Sequence, residues 1–202
     1  MAVELRKGQK VSLEKKGTES LGEILINLNW NQGEPKKGFF AALLGGGQTN
    51  IDLDLGCLYE LKDGSKGVVQ ALGNTFGSLN RPPFIALDGD DRTGASTQGE
   101  NLRVNGSKLS KIKKILVFTF IYEGVAKWKD VDGIVTVQCP GSQDIIVKMD
   151  DYNSTLRMCA IAMLENVKDE TFSVEKLVQF FNGHKEMDKA FRWNMNWTPG
   201  RK

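Results

Sequence analysis

The sequence has few of the residues on which most enzymes and metal sites are built. Its 202 residues include one histidine, three cysteines and five prolines. Cys57, Cys139 and Cys159 lie far apart, and none falls in a Cys-x-x-Cys spacing, which excludes the usual zinc sites and gives no disulfide framework. We therefore expect three buried, reduced thiols.

Long apolar runs and a strong charge imbalance are also missing. No stretch approaches the roughly 18 apolar residues of a transmembrane helix, and the opening MAVELRKGQK lacks the core of a secretory signal. The formal net charge is only +2, and the basic segment SKLSKIKKI has no interleaved aromatic residues. We expect a cytoplasmic protein with no nucleic-acid partner.

The signatures of common catalytic sites are absent as well. The sequence contains no GxSxG elbow, no GxxxxGK[ST] phosphate loop, no GxGxxG fingerprint and no HExxH pair. The single histidine, His184, lies in a predicted helix, where a surface or capping role is expected. We expect a non-catalytic protein, and a metal-assisted enzyme acting on a phosphate or oxyanion remains an alternative.

Short β-prone segments recur between turn residues along the whole chain. They are KVSL, EILINLNW, NIDLDL, GVVQAL, FIAL, NLRV, KILVFTFIYE, GIVTVQ, DIIVKM and TLRMCAIAML. Several alternate polar and apolar residues, which is the period of a half-buried strand. The pattern predicts a mainly β protein, an antiparallel sandwich or barrel, in a single domain over residues 1–202.

Helix is predicted only near the C-terminus. Ser173 as an N-cap and Gly183 as a stop predict a helix over SVEKLVQFF, and HKEMDKAF predicts a second short helix. Trp193 and Trp197 in the following RWNMNW are expected to pack rather than to bind a ligand.

The segment ALDGDDRTGASTQGENLRV, residues 86–104, concentrates carboxylates between glycines and hydroxyls. Asp88, Asp90, Asp91 and Glu100 repel one another, and within the segment's acidic part only Arg92 offsets them. Flexible acidic loops suit calcium, which takes six to eight oxygen ligands. An EF-hand is excluded, because the glycine and glutamate each arrive one residue late and the flanks predict strands. A solvated acidic turn remains the alternative.

A second acidic element, NIDLDLG, lies upstream. In an extended strand Asp52 and Asp54 point to the same face, while the apolar residues between them point to the other. We hypothesise that this strand and the acidic loop share one site, which the spacing alone does not establish.

An unusual glycine-rich apolar segment, EPKKGFFAALLGGG, is predicted as a loop insertion at about 34–47. Two interpretations are open: contact with an anionic membrane surface or a partner, or a loop folded over the core. The residues of the contact interpretation are Lys36, Lys37, Phe39, Phe40, Leu43 and Leu44.

Three segments together resemble a known family. NIDLDLGCLYELKDG, LDGDDRTGASTQGENLRVNG and KILVFTFIYEG resemble successive signatures of the TerD-domain family of bacterial tellurium-resistance and stress proteins. VVQALG, PPFIALDGDDRTG and FNGHKEMDKAF are most similar to its TerA branch, and the likeness covers nearly the whole chain. The resemblance implies a two-sheet β-sandwich with one or two short helices near the C-terminus, and calcium between acidic loops at one end.

The resemblance also implies a set of metal ligands. The family's LDLD element falls on Asp52 and Asp54, and its GDNxTG element begins at Gly89. The family's later GDGDDE element reads STQGEN here and lacks two or three acids, so one calcium ion is expected and a second is disfavoured. The expected ligands are Asp52, Asp54, Asp88, Asp90, Asp91, Thr93, Glu100 and Asn101.

The function implied by the resemblance is a non-catalytic calcium-binding module of a tellurite-resistance and stress-response system. It would act through complexes with other tellurium-resistance proteins and a TerC-like integral membrane protein, in the cytoplasm or peripherally at the inner membrane. The alternative is a metal-free structural docking protein whose acidic loop is solvated.

Overall fold

The fold consists of two β-sheets packed face to face. The structure, a computed structural model, describes residues 2–15, 17, 20–30, 52–88, 99–123, 128–150 and 154–199. The seven-stranded sheet has the order β1 (Val3–Glu4), β11 (Ile145–Lys148), β10 (Ile134–Gln138), β3 (Glu23–Asn29), β8 (Glu100–Asn105), β7 (Ile85–Leu87) and β6 (Gly77–Ser78). The six-stranded sheet has the order β2 (Lys10–Ser12), β13 (Thr171–Phe181), β12 (Met158–Val167), β9 (Ile112–Glu123), β4 (Asp52–Leu61) and β5 (Lys66–Gln70).

Strand pairing follows the alternation in the sequence. In β3, Ile24, Ile26 and Leu28 are buried and the residues between them are not. This strand pairs antiparallel with β8, in which Leu102 and Val104 are buried. Each of the ten predicted β segments contributes a strand, and the only parallel pair among the described strands is β1 with β11. The prediction of an antiparallel two-sheet sandwich is confirmed.

Helical structure is short. The described elements are a 3₁₀ helix (Gly106–Lys111), α1 (Trp128–Val131) and α2 (His184–Phe191). The helix predicted over HKEMDKAF is confirmed as α2.

The helix predicted over SVEKLVQFF is wrong, because this segment lies inside β13. Phe172, Val174 and Val178 are buried while the residues beside them are more exposed, which is the period of a strand. The strand pairs with β12 on one side and β2 on the other. Long-range pairing therefore overrode the local capping signal of Ser173, and Gly183 precedes α2 instead of ending a helix.

A second apolar cluster covers the outer face of the six-stranded sheet. There Phe118 and Phe120 of β9 pack with Met187 of α2 and with the fully buried Trp193. The Trp193 indole Nε1 donates to the Tyr59 carbonyl at 3.1 Å. Trp193 packs as predicted, and Trp197 packs against the same cluster while also lining a cavity.

The residues after α2 are fastened to it by one buried carboxylate. Asp188, 6% exposed, accepts hydrogen bonds from the backbone N–H groups of Asn194 and Met195 and from the Trp197 indole, at 2.9 to 3.0 Å. These bonds hold the chain beyond α2 against the sheet.

The three cysteines are buried free thiols, as predicted. Burial raises the pKa of the Cys57 and Cys139 thiols, so the reactive thiolate is disfavoured at both positions.

The apolar insertion predicted at about 34–47 lies outside the described residues. Among the helices that are described, none has the length and apolarity needed to cross a membrane.

A lysine is buried on the inner face of β13. Lys176 is 1% exposed, and its ammonium lies 2.9 Å from both carboxylate oxygens of Asp150, which follows β11 in the other sheet. Burial opposes the charge of Asp150, but the hydrogen bond and charge of Lys176 outweigh it and lower the pKa of that carboxyl. This ion pair joins the two sheets.

We expect Asp150→Asn to lower the free energy of unfolding by about 2 kcal/mol, because Lys176 would keep a buried charge without its carboxylate. The estimate lies below the range for fully buried pairs because the Asp150 side chain is 57% exposed. Urea denaturation measures the effect. Adding Lys176→Met to Asp150→Asn should restore most of the loss, and an Asp150→Asn variant as stable as the parent would contradict this account.

Candidate functional site

The two acidic elements meet at one end of the sandwich. Glu100 opens β8 in the seven-stranded sheet, and its Oε2 accepts a hydrogen bond from the Leu55 N–H in β4 of the six-stranded sheet. Leu55 follows Asp54 directly, so the strand on which the acidic segment returns touches the acidic strand. The structure thus places the Glu100 carboxylate beside the backbone that follows Asp54, a residue 46 positions away in the sequence.

Both of these carboxylate residues are buried. Asp54 is 0% exposed and Glu100 is 9% exposed. The Asp54 carbonyl accepts a hydrogen bond from the Thr119 hydroxyl at 2.9 Å, which fixes the backbone of β4 at this point. Buried carboxylates require hydrogen bonds, cations or a metal to offset the loss of water. Glu100 meets this requirement in part through the Leu55 N–H, whereas the Asp54 side chain lies on the outer face of β4 with Phe120.

Asp88 is paired with an arginine. Arg103 forms a two-pronged ion pair with it, from Nε to Oδ1 and from Nη2 to Oδ2, each at 2.8 Å, and the same guanidinium binds Glu23. Arg103 lies on the outer face of β8, where it alternates with the buried Leu102 and Val104. The Asp88 carboxylate is therefore neutralised by a protein cation on that outer face.

Asn101 also lies on the outer face of β8. Its Oδ1 accepts a hydrogen bond from the Asn27 side chain at 2.8 Å. Its carbonyl accepts one from the Asp88 N–H at 2.9 Å, which closes the base of the acidic segment. Asp88 and Asn101 thus form the base of this segment, and their side chains lie on the sheet face opposite to Glu100.

The remaining predicted ligands are not described. Asp90, Asp91 and Thr93 lie outside the described residues, and for Asp52 the structure describes the backbone in β4 but not the side chain. The six residues of the membrane or partner prediction, in 36–44, also lie outside them. Within the part of the chain that is described, no group of three or more His, Cys, Asp or Glu residues could hold a metal ion.

A feature that sequence reasoning missed is the environment of His184. The surface or capping role expected for it is wrong, because its ring packs against Phe118, Phe120 and Trp197, with centroids 5.4, 5.3 and 4.9 Å away. Its Nε2 lies 2.8 Å from Oε1 of Gln70. Positions 184, 187 and 191 share one face of a helix, and this signal could have placed His184 on the apolar side.

Two lysines of the basic segment SKLSKIKKI contact other side chains. Lys113 binds Glu60 at 2.7 Å, and the Lys114 ammonium lies 4.1 Å from the centroid of the Trp193 ring. These two lysines are therefore engaged with neighbouring side chains.

Comparison with known proteins identifies relatives over most of the chain. The family model for the TerD domain matches residues 1–139. The Tellurium resistance protein TerA of an Alcaligenes species is 42% identical over 192 residues, which cover 95% of this chain and 56% of that protein. The Stress response protein SCP2 of Bacillus subtilis (strain 168) is 32% identical over 137 residues, 64% of this chain and 65% of that protein.

A solved structure agrees in fold. The crystal structure of a homologue of telluride resistance protein (TerD) from Streptomyces coelicolor A3(2) has a TM-score of 0.56 at 17% identity and covers 83% of this chain and 95% of that one. The chain spans less than two thirds of the length of the two curated relatives. The resemblance inferred from NIDLDLG and its companion segments is confirmed.

His184 should make stability depend on pH above the range where carboxylates titrate. Burial lowers its pKa from 6.5 to about 4, so between these values the unfolded chain binds a proton that the folded chain does not. The free energy of unfolding should therefore fall as pH drops from 6.5 towards 4, by about 3 kcal/mol at most. Urea denaturation at pH 7, 6, 5 and 4.5 measures this.

His184→Phe is the matched control, because it keeps an aromatic ring and removes the titrating group. The variant should lose the slope between pH 6.5 and 4.5 and keep the carboxylate transition at lower pH. Equal pH dependence in the two proteins would show that His184 is not buried as a neutral imidazole.

Proposed function

The chain belongs to the TerD-domain family of tellurium-resistance and stress-response proteins, and we propose that it is a non-catalytic calcium-binding module of such a system. In this proposal it binds one calcium ion at the acidic end of the sandwich. The ion fixes that end for docking to partner proteins.

The observation that carries the proposal is the contact between Glu100 and β4. It ties the return of the acidic segment to the strand that holds Asp54, so a carboxylate of one acidic element lies beside the backbone of the other. Both carboxylates are buried, and calcium is the common hard cation whose irregular shell of oxygens tolerates donors from a strand and a loop together.

Chain geometry supports the contribution of the acidic segment. The hydrogen bond between Asp88 and Asn101 closes its base beside Glu100. Asp90 and Asp91 follow Asp88 by two and three residues in the sequence. In this proposal their carboxylates join Glu100 at the ion.

We assign the ion to a narrower set of ligands than the resemblance implied. The carboxylates of Asp52, Asp54, Asp90, Asp91 and Glu100 would hold it, with backbone oxygen near Thr93. Asp88 and Asn101 instead position the loop, because Arg103 and Asn27 already bind their side chains. Calcium supplies the positive charge that brings the carboxylates together.

Partners and location are part of the same proposal, which rests on the family resemblance. We propose complexes with other tellurium-resistance proteins and a TerC-like integral membrane protein, in the cytoplasm or peripherally at the inner membrane. Residues Lys36 to Leu44 would make the membrane or partner contact, since lysines beside apolar side chains favour anionic lipid.

Calorimetric titration of calcium into chelator-stripped protein tests the proposal, with magnesium as the competing ion. We expect one calcium per chain and an affinity at least about tenfold weaker in Glu100→Gln and in Asp90→Ala, because calcium affinity rises with ligand charge. Glu170→Gln is the matched control, since it makes the same chemical change at an exposed residue in the turn between β12 and β13.

A thermal-shift measurement complements the titration. Calcium at about 100 times its Kd should add about 2.7 kcal/mol to the free energy of unfolding. No heat and no stabilisation would favour the metal-free docking protein instead. The ion pair of Asp88 with Arg103 favours that alternative, because it neutralises part of the acidic segment without a metal.

A further inference from the structure

A cavity of 830 Å³ lies on the outer face of the six-stranded sheet, away from the acidic segment in the sequence. Its floor is the edge strand β5 and the residues after it, with Val68, Gln70 and Leu72. Its walls are the start of α2 with His184 and the residues after that helix, with Met195 and Trp197. The volume falls within the range of small-molecule sites, and most of the lining is apolar.

A buried amide fixes the polar chemistry of this cavity. Gln70 is 5% exposed, and its Nε2 donates to the Leu72 carbonyl at 3.0 Å. A carbonyl only accepts, so the amide nitrogen must face Leu72 and the amide oxygen must face the other way. That oxygen lies 2.8 Å from Nε2 of His184.

The orientation of Gln70 determines the tautomer of His184. Because the amide oxygen only accepts, Nε2 of the imidazole must carry the proton and donate. Burial lowers the pKa of His184 to about 4, so at neutral pH the ring is uncharged and Nδ1 carries a lone pair. Nδ1 makes no hydrogen bond with the described residues and is not sealed from solvent.

The imidazole ring of His184 is held in place by its neighbours. Phe118 and Phe120 pack on the imidazole from the sheet side, and Trp197 packs on it from the C-terminal side. Asp188 holds the Trp197 indole at 3.0 Å, so Trp197 is itself positioned. His184, which lines the cavity, is therefore held in place next to aromatic and aliphatic side chains.

We propose that this cavity binds a neutral aromatic or heteroaromatic molecule that carries an N–H or O–H donor at the edge of its ring. The donor binds Nδ1 of His184, and the ring packs against Trp197, Leu72 and Met195. Anionic groups are disfavoured at Nδ1 because its lone pair repels them. The charged residues of the lining, Lys185 and Glu186, carry opposite charges and add no net charge. Among the described residues that line this cavity, none is a proposed calcium ligand.

Indole and 1-methylindole form a matched pair of probes, since only indole has the ring N–H. We expect indole to bind at least about tenfold more tightly to the full chain, because 1-methylindole would bury Nδ1 without a donor. His184→Phe should bind both probes with equal, weaker affinity. Calorimetry or ligand-observed NMR measures the affinities, and calcium titration of the same variant should be unchanged.

The single histidine gives a direct readout in the parent protein, which keeps the test valid if His184→Phe fails to fold. Every imidazole ¹⁵N resonance comes from His184. We expect the free protein to show the Nε2–H tautomer, and indole to shift the Nδ1 resonance while 1-methylindole does not. Equal affinities for the two probes, an unmoved Nδ1 resonance at saturating indole, or no binding of indole up to its solubility limit would each overturn the proposal.

Discussion

The six-stranded sheet is apolar on both faces, and this constraint organises the molecule. Its inner face packs against the other sheet, and its outer face carries Leu58, Phe118, Phe120 and Met158. An apolar face of this size must be removed from water, and α2 with the residues after it provides the cover. The burial of Trp193 and the hydrogen bonds of Asp188 are consequences of that requirement.

The same cover creates the cavity beside His184. The residues after α2 run towards the edge strand β5, and the space left between them is lined on one side by the sheet and on the other by Trp197. On β4 and β9, Asp54 pairs with Phe120, whose ring contacts His184. The acidic strand and the cavity are thus neighbours on one sheet, although different side chains build them.

At the acidic end, β8 separates charge by strand alternation. Arg103 faces outwards and neutralises Asp88 and Glu23, while Glu100 faces inwards and reaches the backbone of β4. Adjacent residues of a strand point to opposite faces, so one short strand both anchors the acidic segment and directs a carboxylate to the opposing sheet. Lys176 and Asp150 make a second charged link between the sheets.

Local periodicity was enough to predict most of the architecture. Alternation in EILINLNW and the other segments located ten strands, and the helical spacing of HKEMDKAF located α2, because burial of one face leaves a repeating pattern in neighbouring residues. For SVEKLVQFF the same alternation was present, but the capping signals of Ser173 and Gly183 led to the wrong prediction of a helix. The choice between them depends on pairing with β12 and β2, which local sequence does not contain.

The candidate sites were less predictable from the sequence than the fold, because they depend on tertiary structure. The sequence alone identified Asp54 and Glu100 as acidic residues, but only the packing of two sheets places Glu100 against the residue after Asp54. The sequence alone could not predict the ion pair of Asp88 with Arg103. Nor could it predict the contact of Gln70 with His184, which lies 114 positions away. The sequence determines which side chains are present and what chemistry they have. Which side chains contact one another depends on tertiary contacts between residues distant in the chain.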